Sequence, residues 1–347
     1  MDAGVAVVAP RAAPPPAPRP VAPALTELNA AGLRLAWIGE GSGLPQIVVD
    51  GRALTRGPAA HYLGAVLPDG SGVIATGSEG ELEEPRLIRL DGGVTVLGES
   101  SRRARHPSVS ADGRFVVYES GAGALSRLER VDLRDGGVGT VLDEPTGLFE
   151  PSLSPDGEWL AYVSSRDGDS ELYRAGLDGG RPRRLTAFHL EDLAPRVSPD
   201  GKWIAFVSNR EGRDRLFLVK PDGRGTRPLH DGLPLDGGWD AGAVEAAEQD
   251  AVWTPDAKRV VFAARAENDF WHLVSVEVDS GRATVLSAGP WDDHQPAVSP
   301  DGRYVAFVST RGGTPEVWLL GPDGGLAQVS DDGAADWQPM FLRIPAP

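Results

Sequence analysis

The 347-residue chain has no cysteine. That excludes a disulfide scaffold, a thiol nucleophile and thiolate-bound zinc or iron–sulfur clusters. Only three lysines occur, Lys202, Lys220 and Lys258, and the net charge is −16. A polyanion such as nucleic acid would be repelled, so no nucleic-acid partner is expected. No apolar run reaches the 18 or so residues of a membrane-spanning helix, which predicts no membrane insertion. No serine sits in a Gly-x-Ser-x-Gly elbow, no His-Glu-x-x-His is present, and none of the lysines follows a phosphate-cradling glycine loop. Met1 to Ala9 lacks the basic start and long apolar stretch of a signal peptide.

What the chain has in quantity is glycine (44) and proline (30). Seven prolines fall between Pro10 and Pro23, so residues 1–24 read as a disordered tail or tether. Elsewhere the two residue types are periodic. A turn recurs at Pro68-Asp69-Gly70, Ala111-Asp112-Gly113, Pro155-Asp156-Gly157, Pro199-Asp200-Gly201, Pro255-Asp256-Ala257 and Pro300-Asp301-Gly302. Its aspartates lie 43, 44, 44, 56 and 45 residues apart, the period of four-stranded propeller blades. Each turn leads into a continuously apolar strand such as Trp159 to Val163 or Trp203 to Val207, which demands burial on both faces. Short strands before the turn, for example Ser152 to Ser154, complete a hairpin. A second series of Asp-Gly turns, from Asp50-Gly51 to Asp323-Gly324, counts seven.

Residues 25–347 are therefore expected to form one all-β domain, a seven-bladed β-propeller of four-stranded antiparallel blades. Leu33 to Ile38 lacks a first strand before it, whereas Gln338 to Phe341 is a first strand with no turn after it. Pairing the two would close the ring and leave no open edge. In the rival arrangement Thr26 to Leu28 supplies that first strand.

Ser154-Pro155-Asp156-Gly157 with Ala161-Tyr162-Val163-Ser164-Ser165-Arg166 resembles the TolB-type propeller repeat, and the pattern returns at Ser198 to Arg210 and Ser299 to Arg311. The resemblance implies a periplasmic or secreted binding module with a protein or peptide partner. The tail is too short for the α/β domain that precedes the six-bladed propeller of TolB, so the chain is not expected to be TolB itself. A monomer is expected.

In such a ring the first strands line a central channel, and the loops entering them rim one face. The position six residues before each turn aspartate holds His106, Glu150, Asp250 and Gln295, with Gln338 added by its Gln-Pro pair. One position earlier stand Arg105, Phe149, His294 and Trp337. This mixture of polar and aromatic groups suits a peptide or a carbohydrate, or simply a wet channel wall. The entering loop from Leu229 to Asp250 is enlarged and carries Trp239 and Asp240; Trp291 lies on another. Acidic residues including Glu144, Asp192, Asp293 and Asp336 surround these loops, so an acidic mouth steering cationic partners is one expectation. Arg166, Arg210, Arg265 and Arg311 recur at one repeat position, placed to pair with neighbouring carboxylates. Asp167-Gly168-Asp169-Ser170-Glu171 is either a partial calcium loop or a polar hairpin.

No resident cofactor is expected; the one metal option is a divalent ion held in the channel by His106, Glu150, Asp250 and His294. The functional expectation is a non-catalytic binding or scaffold module. The alternative is a polysaccharide lyase or glycoside hydrolase, with Glu150 and Asp250 as acid and base.

Overall fold

A computed structural model of the chain describes residues 21–80, 82–98, 103–121, 125–212, 214–231, 251–265 and 270–344. Seven four-stranded antiparallel sheets are arrayed as blades. From inner to outer strand, blade 2 comprises Ala60–Val66, Gly72–Glu79, Leu82–Arg89 and Val94–Val96. Blade 3 is built from Ala104–Val109, Phe115–Ser120, Arg127–Asp132 and Val138–Asp143. Leu148–Leu153, Trp159–Ser164, Glu171–Gly176 and Arg183–Arg184 make blade 4, and Asp192–Val197, Ile204–Ser208, Arg215–Val219 and Arg227–Pro228 blade 5. Blade 6 runs through Val252–Trp253, Arg259–Arg265, Trp271–Glu277 and Ala283–Val285, and blade 7 through Asp293–Val298, Val305–Ser309, Glu316–Leu320 and Leu326–Gln328.

Blade 1 takes its inner strand, Asp336–Arg343, from the far end of the chain and the other three, Leu33–Gly39, Gln46–Val49 and Arg52–Ala53, from the beginning. Leu35 faces Phe341 and Gly39 faces Asp336 in antiparallel register. The ring is closed as the strand arithmetic predicts. Thr26 to Leu28 is not the rival first strand, because it lies in a helix, Val21–Ala30. That helix starts within the last residues read as tail; Pro23 sits in its first turn, where the missing N–H costs nothing. Leu28 and Ala24 are buried in the seam between blades 7 and 1.

Burial explains the apolar runs. Every residue of Trp159–Ser164 is buried, because this second strand is covered by a sheet on either side. The apolar core is accordingly not one mass but seven clusters, one per seam, each drawing on two neighbouring blades. Fully burying one Val, Leu or Phe contributes about 1.5–3 kcal/mol, so no single blade is stable without its neighbours.

The recurrent turn works through its serine and aspartate. Ser154 Oγ donates to Asp156 Oδ1 and accepts from the Trp159 amide at 3.1 Å, while Asp156 Oδ1 accepts from the Glu158 amide. Gly157 takes φ +69°, where a side chain is disfavoured. Blade 6 breaks the rule by placing Ala257 there at φ +58°.

Candidate functional site

The inner strands share a local distortion that decides where the channel residues point. Each Xaa-Pro pair forms a bulge: Phe149 pairs with Val163 and Ser152 with Ala161, so Glu150 and Pro151 together oppose Tyr162. The same skip occurs at His106-Pro107, Ala194-Pro195, Gln295-Pro296 and Gln338-Pro339. The residue before each proline, His106, Glu150, Ala194, Gln295 or Gln338, has φ between 49° and 53°. Proline disfavours the right-handed helical region for its predecessor, and an extra residue in the ladder must bend out; the left-handed conformation satisfies both at roughly 1 kcal/mol each.

These bulges turn the preceding side chain toward the next blade. A Glu150 carboxylate oxygen accepts the Ala194 amide at 2.6 Å, and Gln295 Oε1 accepts the Gln338 amide at 2.8 Å. His106 Nδ1 lies 3.1 Å from Glu119. Two residues further on, Ser108 Oγ accepts the Leu153 amide and Ser152 Oγ the Val197 amide. Around the axis, polar side chains thus satisfy the backbone of the neighbouring inner strand, and losing one would leave a buried amide at a cost of about 1–3 kcal/mol.

The channel enclosed by these strands has a volume of about 830 Å³, within the range of ligand pockets. Arg105, His106, Gln295 and Gln338 line it, as their spacing predicts. Tyr62 and Arg105 are its exposed members at one end, where Arg105 Nε is 3.3 Å from Glu83. Val66, Val109, Val197, Val298 and Phe341 line it further along the strands, where the wall turns apolar.

Other candidates are diverted to structural work. Phe149 packs between blades 4 and 5 and Trp337 between blades 1 and 2, while His294 lies against Trp271 with ring centroids 5.3 Å apart. Trp291 lies flat over Gly289, donates from Nε1 to Asp293 and covers Arg311 at 5.0 Å. Trp239, Asp240 and Asp250 lie outside the described residues. The supposedly acidic mouth is partly neutralised: fully buried Asp192 and Asp293 receive Arg210 and Arg311, each at 2.8–3.0 Å, and Glu144 pairs with Arg166. Arg311 stacks among Trp291, Phe307 and Trp318, and Arg210 among Phe188, Phe206 and Phe217, adding cation–π attraction. The Asp167 to Glu171 segment is a hairpin whose Asp167 and Glu171 both take Arg184, not a calcium loop.

His106, Glu150 and His294 are not brought together as a metal set. Among the described residues, the group of three potential ligands that does converge is Glu316, Asp332 and Asp336, outside the channel. Tyr62 stands in the same ring as Arg105, one position before the channel position, whereas Glu83 at the mouth escaped sequence reasoning. The signal for Glu83 was present in the second hairpin of blade 2, whose strands of eight residues each exceed the five to seven typical of the other blades and carry Ser78 and Glu83 up beside the channel.

Residues 132–329 match the family described as the TolB beta propeller domain. The chain belongs to this family. An 88-residue stretch is 33% identical to the uncharacterized protein Atu1656 of Agrobacterium fabrum, covering 25% of this chain and 30% of that protein. A 74-residue stretch is 40% identical to Tricorn protease homolog 1 of Streptomyces coelicolor, covering 21% and 6%. The matches thus span less than a third of either curated relative. Among solved structures, TolB from Acinetobacter baumannii superposes with TM-score 0.57 at 18% identity over 89% of this chain and 66% of that one. An oligogalacturonate lyase in complex with manganese gives 0.66 at 16% over 85% and 84%, and puromycin hydrolase 0.64 at 19% over 86% and 52%. At these identities the likeness establishes the shared fold, which serves a TolB and two enzymes alike.

Proposed function

We propose that this chain is a non-catalytic binding module of an envelope or secreted compartment, holding an extended peptide segment of a protein partner at the channel mouth. The observation that carries this reading is the division of labour in the wall. Glu150 and Gln295 are engaged in holding neighbouring blades together, and His106 is engaged with Glu119 of its own blade. Tyr62 and Arg105 are exposed beside them. An aromatic face with a hydroxyl, next to a guanidinium, recognises a peptide backbone and a side chain together. The TolB-type fold and the compartment its relatives suggest point the same way.

Selection of peptides from a displayed random library on the purified chain tests this. Enriched peptides are expected to lose at least tenfold in affinity on Tyr62→Ala or Arg105→Glu, with unchanged melting temperature. Peptide binding indifferent to both substitutions would move the site elsewhere. Turnover of a glycan or peptide panel that disappears in a folded Glu150→Gln variant would replace the binding reading with the enzymatic one.

A further inference from the structure

The loops entering blades 5 and 1 each cross a polar node built from two repeat positions: the first residue of the third strand behind it and the first residue of the inner strand ahead. Between blades 4 and 5 these are Glu171 and Asp192. Asp192 donates its amide to Ser170 O at 2.8 Å, Leu172 donates its amide to Thr186 Oγ1 at 3.0 Å, and that hydroxyl donates to Glu171. Two arginines neutralise the two carboxylates, Arg184 on Glu171 and Arg210 on Asp192.

Between blades 7 and 1 the same bonds recur on Glu316 and Asp336. Asp336 donates its amide to Pro315 O at 2.9 Å, Val317 donates to Ser330 Oγ at 2.9 Å, and Ser330 Oγ donates to Glu316 at 2.7 Å. Both arginines are gone. The pairing of Gly39 with Asp336, matching Ser208 with Asp192, puts Gly41 at the position of Arg210. The pairing of Trp318 with Gln328, matching Tyr173 with Arg184, puts Gln328 at the position of Arg184. In their place comes a third carboxylate: Asp332 Oδ2 lies 2.7 Å from where a Cβ on Gly41 would stand. Asp336 is wholly buried, neither of its carboxylate oxygens has a hydrogen-bond partner, and Oδ1 sits 2.9 Å from where a Cβ on Gly39 would stand. Oxygens of Glu316, Asp332 and Asp336 lie within 4.8 Å of one another. A node that balances its charge in blades 4 and 5 here carries three acids and no base.

We propose that Glu316, Asp332 and Asp336 bind a hard divalent cation, calcium by preference, which takes the place of the missing guanidinium groups and bolts blade 7 to the closing strand. An all-oxygen, carboxylate-rich set suits calcium, magnesium or manganese, and calcium tolerates the irregular geometry of side chains from three segments. Asp332 is exposed, which leaves one side open to water ligands and to entry of the ion. The three residues lie outside the channel lining, so this site stands apart from the proposed peptide site.

Titration calorimetry and thermal unfolding of the EDTA-stripped full chain test the proposal. One calcium per chain is expected to bind, raising the melting temperature by roughly 5 °C at a hundredfold excess over Kd. Asp332→Asn, at an exposed position and keeping the oxygen that accepts the Ala334 amide, and Asp336→Asn should each weaken binding at least tenfold. The double substitution Gly41→Arg with Asp332→Ala, which restores the arginine of the other seam, should raise the metal-free melting temperature and remove the calcium response. No heat and no thermal shift with millimolar calcium, magnesium or manganese would overturn the proposal, as would binding undiminished in both asparagine variants.

Discussion

The seam between blades 4 and 5 and the seam between blades 7 and 1 share their backbone hydrogen bonds and differ in charge. In the first, Arg184 and Arg210 answer Glu171 and Asp192; in the second, Glu316, Asp332 and Asp336 face Gly41 and Gln328. The repeat therefore dictates where polar groups sit, while each seam solves its own electrostatics. Seam 6/7 answers Asp293 with Arg311 alone, and blade 2 places His61 where blades 1, 5 and 7 have aspartate, 3.2 Å from Arg86. Buried charge is tolerated only when a counter-charge is supplied, and the comparison shows that the supplier varies.

The largest test of that contrast removes the counter-charge where it exists. Arg210→Ala should cost about 3–5 kcal/mol in denaturant unfolding, because Asp192 is then buried with no cation beside it. Asp192→Asn in the same chain should recover much of the loss. If the single substitution proved neutral, the charge argument for both seams would fail.

Next in size is an effect specific to the closing seam. Gly70 takes φ +72°, and a Cβ there would lie 1.7 Å from Arg343 O on the closing strand, whereas at Gly201 the first obstacle is the Pro155 side chain at 3.3 Å. Gly201→Ala should cost about 1–2 kcal/mol for the left-handed backbone alone. Gly70→Ala should cost more than ~2 kcal/mol, since backbone must also shift. Equal losses in urea titrations would mean that the closing strand yields as readily as an inner hairpin.

Histidine as a node residue makes a pH-dependent prediction. Burial, with Arg86 adding to it, lowers the pKa of His61 below 6.5 in the fold. The unfolded chain therefore takes up a proton near pH 6.5 that the folded chain refuses, and stability falls as pH drops through that value. The contribution is at most about 1.4 kcal/mol per pH unit and should vanish in His61→Gln, read as the slope of unfolding free energy against pH. The smallest effect concerns the odd turn: Ala257→Gly should stabilise by about 1 kcal/mol by relieving φ +58°. A melting temperature unchanged or lowered would show that Ala257 is held without strain.

Blade number, hairpins and ring closure were legible because turns at a constant spacing leave a trace in one dimension. The helix Val21–Ala30 was not, since proline-rich composition ends gradually and only packing against blade 7 fixes where helix begins. The channel positions were read from the spacing, but not the bulge that turns Glu150 toward Ala194 and away from the axis. Its signal was the proline after each of them, which bars the ordinary helical conformation. The carboxylate cluster was out of reach for a different reason. Glu316 and Asp336 are 20 residues apart, yet what makes them unusual is Gly41, nearly 300 residues away and adjacent only because the ends meet. Aligning blade against blade would have exposed it, since Gly41 and Gln328 stand where arginines stand elsewhere.

The strand Asp336–Arg343 also governs timing. A ribosome releases blades 2 to 7 in order, each able to settle against the one before, but the innermost strand of blade 1 emerges only after all of them. Until then Leu33–Gly39 offers an unpaired edge, and the growing arc ends in two open apolar flanks that must be kept from other chains during synthesis.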